Sequence, residues 1–149
     1  MAIKLVLVES QRIMREALQS LLQATGDVIV VGVASRPQDI LDVVDAQQPD
    51  VVLLTLDGRC AHDVALLKEL PAVSERARTL VLAPDADAAL QVRAIQLGAM
   101  GVVLKTQSAH LLMKAVQKIH EGQLWLERQK TADVVNRLLT IGVRPQRSA

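Results

Sequence analysis

Five short aliphatic runs, separated by stretches of helical spacing, constrain this chain more than any other feature of it. They are Ile3–Val8, Val28–Val33, Val51–Leu54, Leu80–Leu82 and Val102–Leu104. Each is nearly continuous in Val, Leu or Ile rather than alternating apolar with polar. A strand reads this way when both of its faces are buried, as in a parallel sheet covered by helices on each side.

Between the runs, apolar residues recur every three or four positions, the spacing of a helix that buries one face. In the first gap Ile13, Met14, Ala17, Leu18, Leu21 and Leu22 form such a stripe, with Ser10 placed as an N-cap and Gly26 as a stop. In the second, Ser35 and Gln38 have capping-box spacing ahead of Ile40, Leu41, Val43 and Val44. The third stretch is shorter, with Val64, Leu67 and Leu70 ended by Pro71. The fourth carries Leu90, Ala94 and Leu97, with Asp85 near its start and Gly98 past its end. The fifth starts near Ser108, carries Leu111, Leu112, Ala115, Val116 and Ile119, and stops at Gly122.

Strand and helix alternating in this way imply an α/β fold, a doubly wound parallel sheet with right-handed crossovers. Its five strands suit the flavodoxin-like order 2-1-3-4-5. Function in such sheets gathers at the carboxyl ends of the strands, here the loops after strands one, three, four and five. Residues 1–126 are expected to form this domain. Residues 127–142 read as an extra C-terminal helix, a linker or dimerisation element, because Val134, Val135, Leu138, Leu139 and Ile141 make a stripe too apolar to leave in water. Residues 143–149 read as a linker tail.

Composition narrows function by exclusion. The 149 residues amount to one domain, and an apolar content of 50% argues against disorder. A net charge of +1, with no dense basic run, gives no reason to expect direct contact with nucleic acid or an anionic membrane. Cys60 is the only cysteine, so no internal disulfide can form and a reducing, cytoplasmic setting is expected. The opening apolar segment is too short for a signal peptide or a membrane span. One Trp and no Phe or Tyr leave no platform for stacking bases. No glycine-rich phosphate loop or dinucleotide fingerprint is present. His62, His110 and His120 lack partners at metal-ligand spacing and read as solvated. Cys60 reads as an inert thiol, Ser108 as a cap, and Trp125 as cover for the core under the last helix.

Four segments carry a resemblance. Ile3-Lys-Leu-Val-Leu-Val8, Pro49-Asp-Val-Val-Leu-Leu54 and Gly98-Ala-Met-Gly-Val-Val-Leu-Lys105 resemble the strands of a response-regulator receiver domain, and the likeness covers nearly all of residues 3–126. Glu121-Gly122-Gln-Leu-Trp125-Leu126, followed by a helix, is similar to the NarL/FixJ branch, in which a LuxR-type helix-turn-helix domain usually follows. The resemblance implies a CheY-like fold in which an aspartate at the end of strand three accepts a phosphoryl group. It implies Mg²⁺ held by that aspartate and by an acidic pair after strand one. A Thr or Ser after strand four and a Lys after strand five would contact the phosphoryl oxygens.

The departures fall on that chemistry. Glu9 and Ser10 stand at the acidic pair, Thr55 at the phosphoacceptor, Ala83 at the hydroxyl residue and Val102 where the branch often has an inward-swinging aromatic. Only Lys105 is retained, paired with Glu9 or solvated; the sequence leaves both open. A hydroxyl at residue 55 cannot form an acyl phosphate, and a single carboxylate weakens the Mg²⁺ site, so no cofactor is expected. Asp57, in the turn-like pair Asp57-Gly58, offers a shifted acidic site with Glu9 or is an exposed loop residue.

The expectation is therefore a pseudo-receiver, not an enzyme, that signals through protein contacts and reaches DNA only through an output domain outside these residues. A homodimer is expected, with a regulatory protein as a further partner. In the family the fourth and fifth or the first and fifth helices form dimer surfaces, which makes Lys114, Gln117 and Lys118 exposed candidates. The alternatives are a receiver phosphorylated at Asp57 and a flavodoxin-like crevice in which Thr55, Ser10 and Lys105 hold a small polar ligand.

Overall fold

Val, Ile and Leu suit a pleated surface that is packed from both sides, and the aliphatic runs become strands accordingly. The computed structural model describes residues 2–56, 65–84 and 88–126. Within them β1 (Ile3–Val8), β2 (Val28–Ala34), β3 (Val51–Thr55), β4 (Arg78–Ala83) and β5 (Gly101–Leu104) form one parallel sheet in the order 2-1-3-4-5. Helices α1 (Arg12–Gln23), α2 (Ile40–Gln47), α3 (Ala88–Gln96) and α4 (Ala109–His120) accompany it, with a 3-10 segment, Leu66–Ala72, ahead of β4. The expected fold class and strand order are both present. Asp57, Cys60, His62, Val64, Asp85 and the segment 127–149 lie outside the described residues.

Successive side chains of a strand point to opposite faces, and β1 divides its residues between two layers. Ile3, Leu5 and Leu7 pack with Leu18 and Leu22 of α1 and with Leu112, Val116 and Ile119 of α4. Val6 and Val8 pack with Ile40 and Val44 of α2, Leu67 and Leu70, and Ala94 of α3. The central strands are buried on both faces, as their composition predicts. β2 is not: it is an edge strand, and Ile29 and Val33 are 49% and 37% exposed. Its pairing with β1 shifts register between Leu5 and Val6, and Gly32 lies at the shift. A Cβ there would come within 2.8 Å of Val43 Cγ1, so glycine lets α2 close on the edge. Gln23 Oε1 accepts the Val30 N–H at 3.0 Å, which engages one donor that an edge would otherwise offer to another chain.

Several local expectations are corrected. The N-cap of α1 is Gln11, without a side-chain cap, and not Ser10. Ile13 belongs to the apolar stripe by spacing but is 79% exposed. Five residues separate it from Leu18, a rotation that leaves it about 140° off the buried face. The Ser35/Gln38 capping box does not form. Pro37 opens a 3-10 turn, Pro37–Asp39, and the Arg36 guanidinium pairs with the Asp39 carboxylate across it at 3.0 and 3.1 Å. The third stretch begins outside the described residues; Ala65 is α-helical, the part from Leu66 to Ala72 is 3-10, and Pro71 lies inside it instead of ending it. Ser108 does cap its helix: its Oγ accepts the Leu111 N–H at 3.3 Å.

Two devices close the sheet away from the functional end. Asp50, just before β3, accepts the Lys4 N–H at 2.9 Å and the Arg76 guanidinium. Burial alone would raise the Asp50 pKa, but these donors overcome it and hold the carboxyl below its ordinary range. At the other edge, Trp125 adds a single parallel bridge to Gly101 of β5. Its N–H donates to the Met100 carbonyl at 3.0 Å, and its carbonyl accepts the Val102 N–H at 2.8 Å. The half-buried indole packs on the layer formed with α1 and α4, consistent with its expected covering role.

Two outcomes follow. Gly101→Ala should destabilise the domain by about 1–3 kcal/mol in urea unfolding, because the new Cβ would meet the Trp125 carbonyl at 2.7 Å and its Cβ at 2.9 Å. Asp50 contributes stability above the unfolded carboxylate pKa of about 3.9, and the contribution disappears as pH falls through the lower folded value. Unfolding measured between pH 2 and 5, on the order of that range, should show this loss in the wild type and a flatter dependence in Asp50→Asn.

Candidate functional site

The sheet order reverses at β1, which pairs with β2 on one side and β3 on the other, so the loops after these strands part and leave a crevice at their carboxyl ends. The structure brings Glu9, Thr55, Ala83 and Lys105 to this end: Thr55 and Ala83 end β3 and β4, and Glu9 and Lys105 directly follow β1 and β5.

Glu9 is fixed through its backbone. Its N–H donates to the Ala34 carbonyl at 3.0 Å, and its own carbonyl accepts the Arg15 Nη1 at 3.0 Å. The side chain is 4% exposed. Oε2 accepts the Gln11 N–H at 3.3 Å, while Oε1 has no hydrogen-bond partner among the described residues. Ser10 is exposed beside it.

Thr55 is the last residue of β3 and is 7% exposed. Its Oγ1 donates to the Val8 carbonyl at 2.7 Å, which ties the end of β3 to the end of β1. Ala83 ends β4 fully buried, and the Lys105 N–H donates to its carbonyl at 2.7 Å. Val102 is buried in the layer that also holds Ala83, Leu104 and Ala94. No ion pair joins Lys105 to Glu9 among the described residues. The sheet supplies the reason: β1 and β5 are three strand spacings apart, roughly 14 Å, so the two side chains flank the crevice from opposite sides. Of the two readings left open for Lys105, the salt bridge to Glu9 is thus not formed.

Three residues go beyond the sequence reading, two at the crevice and one outside it. Gln11 and Arg15 hold Glu9 through groups that no spacing rule singles out. Gln91 of α3 is 1% exposed, and neither its amide oxygen nor its nitrogen has a partner among the described residues. Its signal was present: it lies three residues before Ala94 on the inward stripe of the helix.

Chemically, the described crevice holds one carboxylate, one ammonium and two hydroxyls, that of Thr55 hydrogen-bonded to backbone and that of Ser10 exposed at the rim. The described residues contain no cluster of three or more His, Cys, Asp and Glu side chains able to hold a metal ion. His110 and His120 are exposed on α4, as expected. No helix among the described residues is long and apolar enough to cross a membrane.

Comparison with known proteins gives this frame a family. The model of the response regulator receiver domain matches residues 5–117. The chain belongs to the response regulator receiver family. Its relatives lie among NarL- and LuxR-type regulators. The transcriptional regulatory protein LnrK of Bacillus subtilis is 31% identical over 134 residues, 90% of this chain and 61% of that protein. The nitrate/nitrite response regulator protein NarL of Escherichia coli is 25% identical over 127 residues, 85% of this chain and 59% of its own. The chain thus spans 61% and 59% of the lengths of these two relatives. Among solved structures, a LuxR-family two-component response regulator from Aurantimonas sp. matches with a TM-score of 0.81, at 20% identity over 93% of this chain and 99% of that one. At that identity the likeness speaks for the receiver fold alone.

In the receiver frame, Thr55→Val should cost about 0.5–1.5 kcal/mol in chemical unfolding, because it removes the buried hydroxyl hydrogen bond to the Val8 carbonyl. Thr55→Ser, which keeps the hydroxyl, should cost less.

Proposed function

We propose that this receiver domain of a two-component response regulator works without phosphorylation at the end of β3, through contacts with other proteins. The observation that carries the reading is the Thr55 hydroxyl, hydrogen-bonded to the Val8 carbonyl at 2.7 Å where the receiver resemblance calls for a phosphoacceptor carboxylate. A hydroxyl bound in this way cannot form an acyl phosphate. Ala83 offers no hydroxyl to follow a phosphoryl group.

The described donors do not suit Mg²⁺. An octahedral Mg²⁺ site in such a fold draws on one or two carboxylates and on phosphate oxygens. Here a single buried carboxylate is available, one of its oxygens already accepts the Gln11 N–H, and Ser10 is neutral. We assign no metal or other cofactor to the domain.

The name of LnrK, a transcriptional regulatory protein, supports placing this domain in a transcription regulator. In our reading DNA is bound by a further domain and not by these residues. A homodimer in the cytoplasm is the working form we propose, with a regulatory protein as a further candidate partner. On α4, Lys114 and Gln117 are exposed and suit such a contact, whereas Lys118 is half-buried and lies 3.6 Å from the Glu121 carboxylate. Glu9 Oε1, buried and without a described partner, favours a second reading in which the crevice holds a small polar ligand.

Incubation with a small acyl phosphodonor and Mg²⁺, followed by intact-protein mass measurement, should leave the mass and the dimer fraction unchanged. A labile phosphate adduct would overturn the reading. Its loss in Asp57→Asn would assign phosphorylation to the shifted site instead.

A further inference from the structure

Buried polar atoms without partners are few in folded proteins, and each calls for an explanation. Among the described residues they are Glu9 Oε1 and both amide atoms of Gln91. Glu9 belongs to the crevice already described; Gln91 does not. It ranks among the largest fully buried side chains of the domain, and the others in that group are all aliphatic. Ala94, one turn further along α3, is 0% exposed and sits in the layer of Ala83, Val102 and Leu104. The layer beside the next turn of this face is aliphatic, and the amide of Gln91 has no partner.

We propose that Gln91 makes α3 a two-position helix. In the position described, the carboxamide is buried and unpaired. In the second, the helix turns or slides so that the amide meets water or the backbone of a partner. Leaving one buried amide unpaired disfavours the described position by roughly tenfold to a hundredfold relative to a fully paired packing. The second position is thereby brought within reach of thermal motion or of a modest binding preference. No phosphoryl group is needed to drive the exchange.

The contacts of α3 give the movement an output. Its two other inward residues, Val92 and Ile95, form a small cluster with Leu124 and Leu126. Those leucines flank Trp125, whose backbone is hydrogen-bonded to Met100 and Val102 at the edge of β5. A shift of α3 therefore disturbs the seat of the segment by which the chain leaves the sheet. This device deepens the phosphate-independent reading above. Exchange rates test the device and phosphodonor labelling tests that reading, so either can fail alone.

The test uses the full chain and the variant Gln91→Met, an unbranched apolar side chain that removes the amide while filling similar space. Amide hydrogen exchange is followed residue by residue. The amides of 89–97 should exchange at least about tenfold more slowly in the variant, and those of Val102 and Trp125 should slow with them. Unchanged or faster exchange across α3 would mean that the wild-type amide is already satisfied and would overturn the proposal. Slower exchange in α3 with Val102 and Trp125 unaffected would overturn it as well, because the relay would be absent. Gln91→Leu serves as a second variant. Failure of both to fold would likewise count against the proposal, since an apolar side chain should be more at home in that layer than an unpaired amide.

Discussion

A parallel sheet stands only when both of its faces are covered, and everything else in this domain answers to that requirement. The central strands are short and aliphatic because nearly all of their side chains meet a helix or a neighbouring strand. The helices are amphipathic because they supply the cover. With no Phe or Tyr in the chain, this cover is built almost wholly from Leu, Val, Ile and Ala. Such side chains carry no polar tip, so a buried polar group in these layers finds few partners except the backbone. Thr55 found one in the Val8 carbonyl, and Gln91 did not.

This contrast explains what could be read from the sequence. Strand order and layering follow from the runs and their spacing, because period and burial are coupled by geometry. The exceptions are local. The run at 28–33 looks like those of the central strands, yet topology puts it at an edge, and no property of the run itself records that. Ser10 and Ser35 have capping chemistry in plausible places. Helix starts depend on where the strand lets go, and at Ser35 on a proline two residues later. Ser108, by contrast, directly follows a short turn with no competing constraint, and it caps as read.

The site was legible as a set of positions and not as a set of interactions. Glu9, Thr55, Ala83 and Lys105 do gather at one end of the sheet, because strand ends in a doubly wound fold must. That Thr55 bonds backward to β1, that Gln11 turns its N–H onto Glu9, and that Lys105 stands apart from Glu9 depend on distances across strands, which residue spacing does not encode. Asp57, the remaining candidate, lies outside the described residues.

The bridge between Gly101 and Trp125 has a consequence for where this folding unit ends. α4 finishes at His120, and a chain cut there would keep every strand and every helix described. It would also lose the backbone that pairs with the outer side of β5 and the leucines that lie on Val92 and Ile95. β5 would become a bare edge of Val and Leu, the kind of surface on which chains stack into aggregates. Residues 121–126 are thus part of the domain's solubility, although they add neither a full strand nor a helix to it.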